Sequence, residues 1–182
     1  DTSGWNTANV TTFATFAERC TNLTTLDTSG WNTAKVTTFN QFAINCTNLT
    51  ALDVSNWNTA NVTTFRSFAY DCETLTTLDV SNWDTAKVTS FRTFTNYCEN
   101  LTALDVSGWN TALVTNFDYF AANCTNLTSI TTEGGTGNPF ADSPSIAYTD
   151  AFINDNSLDQ TSIDNILVRV NAAGTSSGTF LH

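Results

Sequence analysis

Tryptophan stands at positions 5, 31, 57, 83 and 109, and the interval between neighbours is 26 each time. Cysteine keeps the same interval at 20, 46, 72, 98 and 124, and aspartate at 1, 27, 53, 79 and 105. Two phenylalanine rows run in step with them, one from Phe13 to Phe117 and one from Phe16 to Phe120. A constant period of this size marks units too small to bury a core alone, which stack to make a continuous one. The expectation is therefore a repeat solenoid, with five whole units over residues 1–130.

One unit, residues 53–78, reads DVSNWNTANVTTFRSFAYDCETLTTL. Its apolar positions are Val54, Trp57, Val62, Phe65, Phe68, Cys72, Leu75 and Leu78. The stretch from Leu75 to Val80 suits a short strand with one face inward. Copies of it would pair as a parallel sheet with rungs roughly 4.8 Å apart. Apolar residues at i, i+3 and i+7 between Phe65 and Cys72 suit one or two helical turns. Between Trp57 and Val62 the chain reads as a turn held by Asn and Thr side chains. The predicted fold class is a solenoid of mixed α+β type. It has one short strand per repeat in a parallel sheet, short helical or turn segments on the other side, and a helical cap at the C-terminal end.

The residues that carry this pattern in one copy are Leu75, Leu78, Asp79, Ser81, Trp83, Thr85, Val88, Thr89, Phe91, Phe94 and Cys98. In that order and spacing they resemble the BspA-like leucine-rich repeats, over all five units. Such repeats occur on bacterial surface proteins and lipoproteins, on some protist surface proteins and in marine phage structural proteins. Here Phe13 and its equivalents stand where that family usually has Met, and Trp57 stands where other leucine-rich repeats place the ladder Asn. The resemblance implies a leucine-rich-repeat scaffold for adhesion, displayed outside a cell or on a virion.

Past Thr131 the pattern breaks. Residues 131–150 hold three of the glycines and both prolines, which reads as a loop. The run from Ala151 to Leu158 looks like an altered sixth repeat, with Asn156 near the Cys position, so residues 131–158 form a degenerate sixth unit. Residues 159–182 read as a capping helix and tail. Leu158, Ile163, Ile166, Leu167 and Val170 have near-helical spacing, and Asp159 to Ser162 supply N-cap candidates. The stretch from Ser162 to Phe180 is similar to C-terminal segments of marine phage and marine bacterial members. At the other end no cap precedes the first unit, which implies further repeats or a covering molecule there, and a fragment of a larger protein.

Composition narrows the function. A net charge of −11 with six Lys plus Arg disfavours nucleic acid and anionic lipid as partners. No apolar run is long enough to span a bilayer, so membrane insertion is not expected. The single His is the last residue, and no nucleophile–base pair, phosphate loop or metal motif is present. No enzymatic activity and no cofactor are therefore expected. The five cysteines share one position without a C-x-x-C pair, which reads as buried thiols. Asp27, Asp53, Asp79 and Asp105 read as turn caps bonded to Ser29, Ser55, Ser81 and Ser107; calcium is the weaker reading of that row.

Three threonine rows never vary, beginning at Thr7, Thr11 and Thr24. Their bland reading is strand propensity and bonding between rungs; the sharper one is an ice-binding face. The positions that do vary lie after the first Phe and before the Cys. Exposed Tyr and Arg are enriched in binding hot spots, so Arg66, Tyr70, Arg92, Tyr97 and Tyr119 are the candidate binding patch. The expected function is a non-catalytic extracellular or virion display scaffold for adhesion, or for receptor or glycan binding, as in a surface adhesin or a phage tail fibre. Its partners would be a cell-surface protein or glycan, or neighbouring virion subunits. The alternatives are ice binding and self-stacking into a filament.

Overall fold

The computed structural model describes Thr2, residues 4–133, Phe140, residues 150–152 and residues 157–172, without the side chains of residues 169–172. The described elements are four short strands and one helix: β1 (Thr25–Leu26), β2 (Ala51–Leu52), β3 (Ala103–Asp105), β4 (Ser129–Thr131) and α1 (Gln160–Ala172). Strands β1 and β2 pair in parallel, and so do β3 and β4, in both cases with register i to i+26. Thr77 extends the first pair through a parallel bridge from Ala51. A second parallel ladder joins Thr12, Thr38, Thr64, Ser90 and Asn116. Each repeat is therefore tied to the next along two lines of main chain. The sequence pointed to one sheet; among the described residues there are two two-stranded sheets and a separate line of bridges.

The segment from Phe65 to Cys72 is not helical. Ser67 and Asp71 have φ of 54° and 60°, in the left-handed region. The same two positions are left-handed in all five repeats, from Thr15 and Arg19 to Tyr119 and Asn123. These peptide orientations turn alternate N–H groups toward the following repeat. The N–H groups of Gln41, Ala43 and Asn45 donate to the carbonyls of Arg66, Phe68 and Tyr70 at 2.9, 2.8 and 2.8 Å. A helix would spend those donors inside the repeat. The apolar spacing was compatible with either, and pairing between repeats decides it.

The core is aromatic. Trp57 stacks on Phe39 of the preceding repeat with ring centroids 4.2 Å apart, and meets Phe42 edge-on at 5.2 Å. The same contacts recur for Trp83 on Phe65 and Phe68 at 4.2 and 5.4 Å. Like residues also stack on like: Phe39 on Phe65 at 5.8 Å and Trp57 on Trp83 at 6.2 Å. Such pairs add about 0.5–1.5 kcal/mol each beyond the area they bury. Most of these rings lie under 2% exposed, whereas Trp5 of the first repeat is 49% exposed.

Polar side chains complete the joints. Thr33 donates its hydroxyl to the Asn58 carbonyl (3.1 Å) and accepts from the Asn58 N–H (2.8 Å), so one side chain clasps both main-chain groups of one residue in the next repeat. Thr7 and Thr85 clasp Asn32 and Asn110 in the same way. Asn48 and Asn126 send their Nδ2 groups to the carbonyls of Thr21 and Glu99 in the repeat before. An asparagine row thus does bridge repeats, although tryptophan occupies the position where one was sought.

At the far end Phe140 and Phe152 cover the last rings, with Phe140 5.0 Å from Phe117 and Phe152 5.9 Å from Phe120. Helix α1 is capped by Asp159, whose carboxylate accepts from the Ser162 N–H at 2.7 Å. The Asp159 N–H donates to Thr128 and the Ile130 N–H donates to the Ser162 hydroxyl, which ties α1 to β4. Ile166 is buried, Leu158 and Ile163 are half-buried, and Leu167 is exposed, so the inward stripe is narrower than the apolar spacing implied. Most of the Gly/Pro loop, Asn156, and the tail from residue 173 lie outside the described residues.

Thr33→Val keeps the shape of the clasp and removes both of its bonds. The expected loss is about 1–3 kcal/mol of unfolding free energy in urea titration. Thr15 is a β-branched residue at φ 57° with an exposed side chain. Thr15→Asn is expected to raise stability by about 0.5–1 kcal/mol, because asparagine tolerates that region far better.

Candidate functional site

The invariant side chains are occupied within the repeat framework. The thiols of Cys46, Cys72, Cys98 and Cys124 are buried and donate to the carbonyls of Ala17, Ala43, Ala69 and Thr95 at 2.9, 3.0, 3.0 and 3.1 Å. Burial pushes the Cys46 thiol up to about 11 and raises those of Cys72 and Cys98 well above their ordinary value. Cys20 is exposed, because no described repeat covers it.

The aspartate row caps turns. Asp53 and Asp79 each accept from the N–H and the hydroxyl of Ser55 and Ser81, at 3.1 and 2.7 Å in both repeats. Asp27 and Asp105 accept the N–H groups of Ser29 and Ser107 at 2.9 and 3.0 Å. The Ser29 hydroxyl and, after it, the Ser29 N–H hold the Asp27 carboxyl below its ordinary value. Among the described residues no three His, Cys, Asp or Glu side chains converge on a point where a metal ion would sit. The exposed threonine rows are also engaged: Thr37, Thr63, Thr89 and Thr115 donate their hydroxyls to the carbonyl of the equivalent threonine one repeat earlier, at 3.1–3.3 Å.

What varies from repeat to repeat is the outer side of the left-handed segment. Tyr70 and Tyr97 meet there, edge to face, with centroids 5.8 Å apart. Tyr97 is 39% exposed and Tyr70 is half-buried. Arg66 and Arg92 occupy equivalent positions in adjacent repeats, the first exposed and the second half-buried. Beside them the Ser67 and Thr93 hydroxyls pair at 2.7 Å. Tyr119 continues the Ser67–Thr93 row one repeat further on, half-buried at φ 55°. Of the five candidate residues the structure brings two tyrosines into contact and sets the other three on the same segment of neighbouring repeats. Neither Arg66 nor Arg92 forms an ion pair among the described residues, where the single such pair is Arg19 with Glu18 at 3.7 Å.

A second feature is not visible in the repeat pattern. The strand ladder lapses between Thr77 and Ala103: no main-chain hydrogen bond joins residues 76–79 to residues 102–105. The gap is a groove of about 260 Å³ between those two segments, with Thr131 at its edge. Leu78 and Leu104 are buried beneath it at 4% and 1% exposure. Nearby the same two repeats pinch together, since a Cβ on Gly108 would come within 2.8 Å of the Ser81 carbonyl oxygen. The equivalent position is Gly in the first two repeats (Gly4 and Gly30) and Asn in the next two (Asn56 and Asn82), so the sequence carries no mark of the irregularity at this position.

The chain matches the family described as Mycoplasma protein of unknown function, DUF285, over residues 1–74 and again over residues 43–133. It belongs to that family. The family is a Mycoplasma-type repeat family related to the BspA-like repeats. No curated protein and no solved structure matches the chain.

Thiol labelling separates the cysteines. One thiol per chain, that of Cys20, should react with a maleimide in the native protein, and all five in denaturant. The folded chain keeps thiol protons that the unfolded chain releases above its ordinary value of 9.0, so unfolding free energy should fall as pH rises from there toward about 11. Urea titrations across that range measure it.

Proposed function

We propose that the protein is a non-catalytic display scaffold, a BspA-like leucine-rich-repeat solenoid that presents a recognition surface for adhesion, to a cell-surface protein or to a glycan. The observation that carries this reading is a division of labour between positions. Residues that recur in every repeat are buried or bonded to the next repeat or to a turn, and variation is concentrated on the exposed outer side of the left-handed segment. The Tyr70–Tyr97 pair, flanked by two arginines without ion-pair partners among the described residues, has the chemistry of a binding hot spot. An extracellular or virion setting is part of this reading through the resemblance of the repeats to those of surface and virion proteins. A scaffold held by stacked rings stays rigid and loses little entropy when it binds.

Ice binding is the weaker alternative. The hydroxyl donors of the exposed threonine rows are already spent on main-chain carbonyls. Lys35 and Lys87, bonded at 2.7 Å to Asn9 and Asn61, stand two positions before the Thr37 and Thr89 rungs and interrupt a flat array. Filament growth by identical copies is disfavoured because α1, Phe140 and Phe152 cover the last repeat.

Tyr97→Ala and Arg92→Ala are expected to weaken binding to intact cells or to an immobilised glycan panel by about tenfold or more, with the unfolding midpoint shifted little. Binding unchanged in both variants would sink the assignment of this patch. Thermal hysteresis in the parent protein would put ice binding in its place.

A further inference from the structure

Positive charge is scarce in this chain, and the fold spends most of it. Among the described side chains, Arg19 pairs with Glu18 at 3.7 Å, and Lys35 and Lys87 donate to Asn9 and Asn61 at 2.7 Å. The guanidinium groups of Arg66 and Arg92 have no partner among the described residues. These two hold the same position in consecutive repeats, and the joint between them is fixed. The Ser67 N–H donates to the Arg92 carbonyl at 2.9 Å, and the Ser67 and Thr93 hydroxyls pair at 2.7 Å. Two like charges are thus set one rung apart, where they repel. The residues before and after them in the same row are Asn40 and Asp118, and neither takes a guanidinium. The buried Oδ1 of Asn40 has no partner among the described residues, and Oδ2 of Asp118 accepts from Asn116 of its own repeat at 3.1 Å. Further along the same outer segment lies the Tyr70–Tyr97 pair, with ring centroids 5.8 Å apart.

We infer that Arg66 and Arg92 together bind the carboxylate or sulfate group of an acidic glycan, with the tyrosine pair presented to the rest of the sugar. This names the ligand class of the surface proposed above and rests on that reading. A guanidinium is a planar fork of N–H donors that matches the oxygens of such an anion, and bonds of this kind are roughly twice as strong as neutral ones. An anion shared by the two arginines also relieves their mutual repulsion. The charge of the whole chain selects among anions. At −11 it repels a ligand that carries many negative charges, such as an acidic peptide or a nucleic acid. A sugar can carry one negative charge on a frame that is otherwise neutral. That frame offers C–H faces and hydroxyls, to which an exposed tyrosine presents a ring and a phenolic group that both donates and accepts.

The test is an NMR titration of the nitrogen-labelled full chain, followed at the arginine Nε–H signals and run at constant ionic strength. The probes are methyl sialoside, a galactose sulfate, neutral methyl galactoside and an oligoglutamate peptide. Saturable shifts at Arg66 and Arg92 are expected with the sialoside or with the sulfate, and none with the neutral sugar. Which of the two acidic sugars responds decides between carboxylate and sulfate. Arg66→Gln and Arg92→Gln alter side chains outside the core and identify the two signals by their loss; each should weaken the binding by about tenfold or more. Silence at both arginines with both acidic sugars, an equal response to the neutral sugar, or binding that survives both substitutions would overturn the inference. A response to the peptide alone would also overturn it and move the site to an acidic protein segment. If the arginines are silent while the protein still binds cells through Tyr97, the inference fails and the display reading stands. If the arginines are silent and neither cells nor an immobilised glycan panel is bound, the display reading fails with it.

Discussion

Each tryptophan from Trp31 to Trp109 lies flat against the first phenylalanine of the preceding repeat, 4.2–4.4 Å away, and edge-on to the second. This interlock sets the spacing at which everything else must work. It places the thiol of each buried cysteine on a carbonyl 29 residues back, and each Thr clasp on main-chain groups 25 residues ahead. A smaller residue in the first phenylalanine row would leave the indole face without its stacking partner and open space in a core with little means to collapse.

The polar half of the composition follows from the same constraint. A repeat of 26 residues must turn several times, and each turn exposes main-chain groups that a neighbour cannot reach. The chain meets this with side chains bonded two residues ahead: Asp53 to Ser55, Asn58 to Ala60 and Thr64 to Arg66. That is why Asn, Asp and Thr replace Gly and Pro through most of the repeats. The left-handed residues are the other device. Holding Thr, Arg, Gln and Tyr at positive φ carries a conformational cost, offset by a continuous line of hydrogen bonds to the next repeat. On the outside these positions tolerate substitution, so the segment that is most constrained in backbone is also the most varied in side chain.

The tyrosine patch and the groove differ in origin. The tyrosine patch arises where a regular framework carries irregular side chains. The groove arises where the framework itself departs from regularity, and its side chains are nearly those of the neighbouring repeats. Thr77 and Ala103 occupy the same position as Thr25 and Ala51, yet the latter two pair and the former two do not.

By itself the sequence determined which residues meet between repeats. Its period gave the ladders of Trp, Phe and Cys, the serine-bonded aspartates and the helix start at Asp159, because identical units in register bring identical positions together. It also marked the variable positions from which Tyr70 and Tyr97 were picked. Tertiary structure alone decided the backbone path through Phe65 to Cys72. Apolar spacing there suits a helix, but main-chain donors directed at the next repeat favour left-handed turns. It alone decided that the strand ladder lapses between Thr77 and Ala103, since repeats of nearly the same sequence pair on either side of that gap. Local pattern specifies what a repeat buries; how closely two repeats approach depends on the fit of their whole surfaces, and no single position records it.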